Sequence, residues 1–491
     1  MRTIFIVSDS LNREYLPCYG NDWVRAPNID RLAARGVVFD NHYCGSMPCM
    51  PARREMMTGR INFLEAGWGG VEVFDRTLPK ELQRQRGVYT HLVTDHYHYW
   101  EASGANYHTL FNTWEFLRGQ EGDPWHPQVR DPQPPPHRGR NRRQDWINRR
   151  FMDLDRDEDY PTPRCFLQAM DFLRRNGRQD NWHLHLEVFD PHEPFMCPAR
   201  YREMYGDAWD RPWQFDWPSY APVAEAEGPE AVAHIRRCYA GTLSMMDHWL
   251  GRLLDLMDEL DLWRDTTVVL TTDHGHLLGE HGYWAKNYMF DYAQLVHIPL
   301  IVCSPEARQS GRRIGALTGT IDLMPTILDL FAAEPPPHVH GRSLRPLLDA
   351  DGPHHESLLY GYFGKDIGWT DGRWTYCRQP RPGGPLHEYT SIPYRYGDLV
   401  RPEGLEMLRR AEMDRGTLAQ AGGVPVYKVP RESHRHRDAP DFDPVYDIQA
   451  DPDQTAPVRD AALEAKLAER LAAAMRRFDA PPEQFQRVGL A

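Results

Sequence analysis

The sequence predicts an α/β fold with a mostly parallel sheet flanked by helices, followed by a smaller C-terminal α+β subdomain with antiparallel strands. Three observations support this prediction. Short apolar runs recur at intervals that leave room for helices, one long amphipathic helix lies between two of them, and the pattern changes after Gly352-Pro353. Alternating strands and helices are typical of a parallel sheet that is covered on both faces.

The predicted strands and the clearest helix belong to the first part of the chain. The helix is predicted to begin at Gly228-Pro229, because proline suits a first helical turn, and to end near Leu262-Trp263. Its apolar residues recur at spacings of three, four and seven, which indicates one buried helix face. The predicted strands are 3–7, 90–94, 183–189, 266–271 and 297–303.

The second part of the chain has a different pattern. Residues 358–364 and 368–378 predict antiparallel strands, with Asp371-Gly372 as a hairpin turn. An amphipathic helix is predicted from Leu463 to Phe478. We therefore predict an α/β domain over residues 1–355 and a C-terminal subdomain over residues 356–491.

Residues 119–150 interrupt the first part with a segment that is rich in proline and arginine. The segment has little periodicity, so we predict a long loop insertion at the surface. The alternative is a basic rim that attracts an anionic substrate, and we favour the solvated loop.

The composition excludes several classes of protein. The 57 basic and 70 acidic residues give a formal net charge of −13, which argues against nucleic acid or an anionic membrane as a partner. The eight cysteines show no paired spacing, which argues against a disulfide framework and a structural zinc site. The N-terminal apolar run is too short for a signal peptide or a membrane span, so we expect a cytoplasmic protein with reduced thiols.

Acidic and imidazole side chains follow four of the predicted strands. Ligands of parallel α/β sheets bind just beyond the carboxyl ends of the strands, so these side chains are predicted to meet at one edge. Carboxylates with imidazole suit a divalent ion such as Mn²⁺, Mg²⁺ or Ca²⁺, and the imidazole favours Mn²⁺. Any one of these acidic or imidazole residues alone is more simply explained as a helix cap or a turn residue. The acidic and imidazole residues are Asp9, Asp95, His96, His98, Asp190, His192, Asp273 and His274, and Ser10 follows Asp9 at the end of the first strand.

Residues 45–60 predict an anion-binding turn. Pro51 suits the first turn of a helix and Gly59 its end, so Cys49 is predicted at the helix N-terminus. Unpaired backbone N–H groups and the helix dipole favour an anion or a thiolate there, and Arg53 and Arg54 add positive charge. Cys49 is therefore a candidate nucleophile. An ordinary buried cysteine at a helix start is the alternative, which spacing alone leaves open.

These motifs resemble the sulfatase family. Cys-Met-Pro-Ala-Arg at 49–53, followed by Thr-Gly-Arg at 58–60, is similar to the signature Cys-x-Pro-Ser-Arg, with Ala52 in place of serine. The segments around Asp9, His192 and Asp273 also resemble family segments, and the similarity covers most of residues 3–350. The resemblance implies an alkaline phosphatase-like fold and hydrolysis of a sulfate ester, which releases sulfate and an alcohol or phenol.

The resemblance also implies roles for individual residues. A maturation enzyme would oxidise Cys49 to formylglycine, whose hydrate is the nucleophile, and one divalent metal ion, Mn or Ca, would stabilise the transferring group. Arg53 would orient the hydrate, Lys286 and His192 would contact the sulfate, and one of two histidines would protonate the leaving alcohol. The implied catalytic residues are Cys49, Arg53, His96, His98, His192 and Lys286. The implied metal ligands are Asp9, Ser10, Cys49, Asp273 and His274.

The implied partners are a small anionic ester substrate and the maturation enzyme, and some relatives also form homo-oligomers through their C-terminal regions. Two positions depart from the common sulfatase pattern: Ser10 replaces a second aspartate or a glutamine, and Asp273-His274 replaces Asp-Asn. Asp-His resembles phosphonate monoester hydrolases and choline sulfatase-like enzymes. Either Ser10 or Asn12 could therefore be a metal ligand. The substrate class also stays open between a sulfate ester and a phosphonate monoester or phosphodiester. A non-catalytic anion-binding homologue is a third hypothesis, against which the intact Cys49 argues.

Overall fold

The computed structural model describes residues 1–101, 106–307, 310–392 and 402–490. Within these ranges the strands are β1 (Arg2–Ser8), β2 (Val37–Tyr43), β3 (Ser46–Met47), β4 (Tyr89–Thr94), β5 (Thr113–Phe116), β6 (Trp182–Val188), β7 (Thr266–Thr271), β8 (Leu277–Leu278), β9 (Trp284–Ala285), β10 (Leu300–Cys303), β11 (Arg312–Gly319), β12 (Leu358–Tyr362), β13 (Ile367–Thr370), β14 (Trp374–Arg378), β15 (Leu386–Thr390), β16 (Glu412–Asp414), β17 (Val426–Arg431) and β18 (Val445–Asp447). The α-helices are α1 (Pro27–Arg35), α2 (Cys49–Thr58), α3 (Leu78–Arg86), α4 (Arg143–Arg149), α5 (Pro161–Asn176), α6 (Ala199–Glu203), α7 (Gly228–Glu259), α8 (Ala293–Val296), α9 (Leu323–Leu330), α10 (Arg345–Asp349), α11 (Pro402–Arg409), α12 (Ala461–Arg477) and α13 (Pro482–Arg487).

The central sheet has eight strands in the order β11-β2-β10-β7-β1-β6-β4-β5. β10 is antiparallel to both of its neighbours, and the other adjacent pairs are parallel. Alternate residues of β1 enter different cores: Ile4 and Ile6 pack with α7, whereas Phe5 and Val7 pack with α9. Both faces of the sheet are therefore covered, and the predicted α/β class is confirmed.

Four of the five predicted strands agree with the structure to within one residue at each end. The fifth, 297–303, is a strand only from Leu300, because His297 follows α8 and Pro299 has no N–H group for a ladder. In the central sheet, strands β2, β5 and β11 were not predicted. β5 is an exposed edge strand, so it lacks the apolar run by which buried strands are identified.

The longest helix, α7, begins at Gly228 as predicted and ends at Glu259, just before the predicted end. A short 3-10 helix, Leu262–Arg264, then leads into β7. In the described part of the chain, no helix is long and apolar enough to cross a membrane. The cytoplasmic location stays a prediction.

A second sheet, in the order β18-β14-β13-β12-β3, contains the predicted C-terminal strands. β13 and β14 form the predicted hairpin, in which Gly372 has a positive φ of 86°. The predicted C-terminal helix is α12. β3 of the N-terminal part pairs with β12 and ends two residues before Cys49, so the C-terminal sheet supports the turn that holds this cysteine. The division at residue 355 stays a prediction.

The segment 119–150 is mainly loop, but it also contains helix α4, which was not predicted. Three of its arginines have carboxylate partners. Arg142 pairs with Glu121 at 2.8 Å, Arg143 pairs with Asp131, and Arg149 pairs with Asp145 and Asp216. These pairs neutralise part of the positive charge on which the basic-rim alternative depends.

Candidate active site

Two acidic side chains meet at the carboxyl ends of β1 and β7. The strands are parallel neighbours, Asp9 directly follows β1, and Asp273 lies two residues beyond β7. Both carboxylates are fully buried. The Arg53 guanidinium joins them, because it donates to Asp9 Oδ2 at 2.9 Å and to Asp273 Oδ2 at 2.6 Å. The strand ends therefore converge, as expected for a parallel sheet.

Four side chains at this edge fit a metal ion. Donor atoms of Asp9, Cys49, Asp273 and His274 all lie within 4.8 Å of one another. His274 Nδ1 is 2.9 Å from Gly275 O, and since a carbonyl oxygen only accepts, Nδ1 carries the hydrogen and Nε2 offers its lone pair. That Nε2 lies 3.3 Å from Cys49 Sγ. Two carboxylates, an imidazole and the side chain of residue 49 match the donor set of a divalent ion.

Two buried cations, Arg53 and Lys286, balance the buried carboxylates. Burial alone would raise the pKa of Asp9, but Arg53, His192 and Lys286 outweigh it and hold that pKa well below its usual range. Burial also opposes the charge of Lys286, but neighbouring negative groups raise its pKa. The site therefore keeps Asp9 ionised and Lys286 charged.

Ser10 and Asn12 have different surroundings. Ser10 has a positive φ of 59°, and its Oγ donates to Asp9 Oδ1 at 2.9 Å and accepts from Lys286 Nζ at 3.0 Å. The Asn12 side chain instead accepts from Glu14 N and donates to His276 O, both at 2.8 Å. Asn12 thus stabilises the following turn, whereas Ser10 lies beside the candidate ligand Asp9.

Cys49 is the first residue of α2, Pro51 lies in the first turn, and Gly59 ends the helix with a positive φ of 65°, all as predicted. Burial raises the pKa of the Cys49 thiol well above its usual value. Arg53, one turn later, also donates to Cys49 O at 3.2 Å. The prediction that Arg54 adds positive charge beside Cys49 was wrong. Arg54 follows Arg53 in α2 but faces another way, and it pairs with Asp75 at 2.7 Å.

The two histidines after β4 differ in their partners. His96 Nδ1 is 4.0 Å from Asp9 Oδ2, and neither ring nitrogen has a hydrogen-bond partner among the described residues. Burial lowers the pKa of His96 well below its usual value. His98 lies between two carboxylates, with Nδ1 2.7 Å from Glu101 and Nε2 3.4 Å from Glu121. Burial opposes its charge, but these partners prevail and raise the pKa of His98.

Glu187, a buried acid in β6, was not predicted to belong to the site. It accepts hydrogen bonds from Arg53 Nε at 3.2 Å, Thr94 Oγ1 at 3.0 Å and Tyr99 OH at 2.8 Å. It therefore fixes the far side of the Arg53 guanidinium. The sequence did contain a signal that could have identified Glu187, because it is an acid within the predicted strand 183–189. An acid buried in a sheet needs a charged or hydrogen-bonding partner.

Glu193 is a second acid that was not predicted. It is fully buried and accepts a hydrogen bond from Tyr220 OH. His192 Nδ1 and His276 Nδ1 lie 3.4 and 3.5 Å from its carboxylate. His192 Nδ1 is also 2.5 Å from Glu193 O, so the backbone and side chain of Glu193 together orient His192.

Comparison with known proteins identifies the family. The family model described as Sulfatase matches residues 2–333, which is more than half of the chain. The chain belongs to the sulfatase family. It is a sulfuric ester hydrolase.

Relatives and solved structures agree with this assignment. N-acetylglucosamine-6-O-sulfatase of Bacteroides thetaiotaomicron is 27% identical over 406 residues, which cover 71% of this sulfatase and 71% of the relative. A structure described as a complex with its substrate D-glucosamine-2-N,6-O-disulfate matches with a TM-score of 0.68 and 18% identity, over 98% of this chain and 99% of that one. The phosphonate monoester hydrolase of Agrobacterium radiobacter matches with a TM-score of 0.67 and 18% identity, over 97% and 96%. At 18% identity, these two structures show only that the fold is shared.

The sulfatase brings most of the residues predicted from its sequence into direct contact around Cys49. His98 lies one step further out, with its ring centroid 5.1 Å from that of His96. His192 contacts Glu193 instead. The residues joined by contacts of 4.0 Å or less are Asp9, Ser10, Cys49, Arg53, His96, Asp273, His274 and Lys286.

Proposed function

We propose that this sulfatase cleaves its ester with a formylglycine formed from Cys49 and one divalent ion held by Asp9, Asp273, His274 and residue 49. The observation that carries the proposal is the position of Cys49 at the start of α2. There it belongs to the donor cluster, the group formed by Asp9, Cys49, Asp273 and His274. When both groups are present, the hydrated aldehyde supplies a nucleophilic hydroxyl and the metal polarises the sulfate oxygens. A maturation enzyme is the partner that the oxidation of Cys49 requires.

Arg53 positions the start of α2 against the two metal strands. Its guanidinium contacts Asp9, Asp273 and Glu187 at once, and also the carbonyl of Cys49. A planar guanidinium with several fixed donors can make these contacts together, which a single ammonium group cannot. Arg53 therefore holds residue 49 beside the carboxylates and keeps both carboxylates ionised.

Lys286 and His192 provide the binding site for the sulfate group. The pKa of Lys286 is raised despite burial, so it stays charged at neutral pH, and its ammonium is held by Ser10. His192 is fixed through Nδ1 by Glu193. A fixed cation such as Lys286 in a buried site stabilises a transferring anion more strongly than the same group in water.

His98 is the group that protonates the leaving alcohol. A general acid has to hold its proton at the working pH, and the two glutamates that face His98 raise its pKa. His96 lacks such partners, and its lowered pKa keeps it neutral. This assignment chooses between the two histidines that the sequence left equivalent.

The first expected result concerns pH. Glu121→Gln removes one of the carboxylates that raise the pKa of His98, so His98 loses its proton at a lower pH. Because turnover falls as pH rises through the pKa of the general acid, the alkaline limb of the kcat profile is expected to move to lower pH. The matched control is Asp123→Asn in the same segment, since Asp123 pairs with Arg118 instead. An unchanged alkaline limb in Glu121→Gln would contradict the role of His98.

The second expected result concerns the metal ion. Chelation should lower turnover of an aryl sulfate by at least about 100-fold, and titration with Mn²⁺ or Ca²⁺ should restore it. Asp273→Asn should raise the metal concentration needed for half-maximal turnover. Asp95→Asn is the matched control, because burial raises the pKa of Asp95 and it lies outside the donor cluster. Full activity after complete removal of metal would exclude the proposed centre.

Hydrolysis of a phosphonate monoester is the second candidate. The Asp273-His274 pair and the fold shared with a phosphonate monoester hydrolase favour it. The test compares kcat/KM for an aryl sulfate with that for the matching aryl phosphonate monoester. We expect the sulfate to be preferred. A phosphonate preference of about 100-fold or more would reverse the order of the two candidates.

A further inference from the structure

Three arginines at alternate positions of the segment 138–142 stack on aromatic rings of the segment 213–220. The distances from guanidinium carbon to ring centroid are 4.6 Å for Arg138 over Trp213, 4.7 Å for Arg140 over Tyr220 and 5.2 Å for Arg142 over Trp217. Arginine is attracted to the face of an aromatic ring, so these contacts hold the side chains in place. We call the three arginines the arginine row and residues 213–220 the aromatic segment.

The backbone also fixes the arginine row against the aromatic segment. Arg138 N donates to Gln214 O at 2.9 Å, and Arg140 N donates to Trp217 O at 2.8 Å. Between them, Gly139 has a positive φ of 81°, and a Cβ atom at this position would lie only 2.0 Å from Trp217 O. Glycine therefore allows the two segments to approach this closely. The arginine side chains thus extend from a backbone with a defined position.

Two arginines of the row have no acidic partner. Arg142 pairs with Glu121 and also donates to Tyr97 OH at 3.0 Å. Among the residues that the structure describes, Arg138 and Arg140 have neither a carboxylate partner nor an acceptor for their side-chain N–H groups. Stacking occupies the face of a guanidinium, whereas its N–H groups lie in the plane and stay available. That planar fork can donate to two oxygens of one anionic group.

The aromatic segment connects the arginine row with the active site. Tyr220 OH donates to Glu193, the buried acid that holds the proposed sulfate-binding histidine. Directly after the segment, Ala221 O accepts a hydrogen bond at 3.0 Å from Trp284 N, two residues before Lys286. The arginine that stacks on Tyr220 is therefore separated from the proposed sulfate-binding histidine by one tyrosine ring and one carboxylate.

One end of the arginine row lies at the proposed general acid. Glu121, which pairs with Arg142, is also 3.4 Å from His98 Nε2. Because His98 protonates the leaving alcohol, the alcohol part of the substrate extends on this side of the site. At the other end of the row, Arg138 is exposed and lines a surface cleft of about 510 Å³ together with Trp213. The row thus leads from the leaving group to the protein surface.

We propose that Arg138 and Arg140 bind a second anionic group, a sulfate or a carboxylate, on the alcohol part of the sulfate ester. This inference rests on the proposed function, because it places the reacting ester at residue 49. The net charge of −13 repels a substrate with several negative charges, so local cations have to bind it. The basic-rim alternative for residues 119–150 then applies to these two arginines.

The test is calorimetric titration of the full-length Cys49→Ala variant with sucrose octasulfate, a disaccharide that carries several sulfate groups. This background cannot form the nucleophile, so the probe stays intact. In the same background, the double variant Arg138→Gln, Arg140→Gln should bind the probe at least about 10-fold more weakly, because hydrogen bonds between charged groups are lost. Arg150→Gln is the matched control and should change the affinity by less than about 2-fold. Arg150 directly follows α4 in the same segment and is exposed, but among the described residues it stacks on no aromatic ring.

Inorganic sulfate is the second probe, because it has no further anionic group. Its affinity should be the same in the Cys49→Ala parent and in the double variant. Equal losses of octasulfate binding in the double variant and in Arg150→Gln would mean that positive charge alone attracts the probe. That result would overturn the proposal, as would failure of the parent to bind octasulfate, unchanged octasulfate binding in the double variant, or an equal loss of sulfate binding there. A failure of the proposed nucleophile would appear in turnover and would leave these affinities unchanged.

Discussion

Replacing Cys49 with alanine is expected to lower kcat for an aryl sulfate by at least about 1,000-fold, because the variant has no side chain that can become the nucleophile. The substitution removes one sulfur atom from a buried helix start and leaves the neighbouring charges in place. Alanine is a good helix former, so the expected loss of stability is below about 2 kcal/mol. The measurements are kcat with saturating metal and the midpoint of denaturant unfolding.

Cys44→Ala is the matched control for this experiment. Cys44 is also fully buried in the same part of the chain, but it lies outside the donor cluster. It should therefore show a similar loss of stability with little change in kcat. A Cys49→Ala protein that retains most of its turnover would refute the nucleophile assignment.

Replacing Arg53 with lysine is expected to lower kcat/KM by at least about 100-fold and to destabilise the fold by about 3 to 5 kcal/mol. Lysine keeps the charge but cannot reach Asp9, Asp273 and Glu187 together. At least one buried carboxylate would then lose its partner, and residue 49 would lose its fixed position. Steady-state kinetics and thermal unfolding measure the two effects separately.

Arg54→Lys separates the catalytic effect from the cost of disturbing a buried ion pair. Arg54 is the next residue of α2 and is also buried, but it pairs with Asp75 and Glu65 away from the donor cluster. We expect Arg54→Lys to be less stable than the natural protein with an almost unchanged kcat/KM. Equal losses of kcat/KM in both variants would mean that Arg53 acts only through the stability of α2.

The parts of the fold that the sequence predicts are those with a strong local pattern. Strands β1, β4, β6 and β7 are buried and apolar, and α7 has a regular apolar face. Edge strand β5 packs little of its surface, and the start of β10 is shifted by Pro299, so neither follows from local hydrophobicity. These features depend on neighbours that are distant in the sequence.

The candidate site likewise has features that a local sequence pattern predicts and features that depend on residues distant in the sequence. Acidic and imidazole residues after four strands predict a metal site at one edge, because the edge at which parallel strands end is known in advance, and the structure brings the residues that follow β1 and β7 together. The distinction between His96 and His98 needs Glu121, which belongs to a segment interpreted as a loop insertion. The different partners of Arg53 and Arg54 likewise depend on which face of α2 meets the sheet.

The most direct test of the proposed mechanism is mass spectrometry of the peptide that contains residue 49, from protein of known specific activity. We expect a mass that corresponds to the aldehyde or its hydrate in place of the thiol, and a specific activity that rises in proportion to the converted fraction. Preparations with different degrees of conversion would define that proportion. Full turnover by protein whose residue 49 is entirely an unmodified thiol would contradict the account.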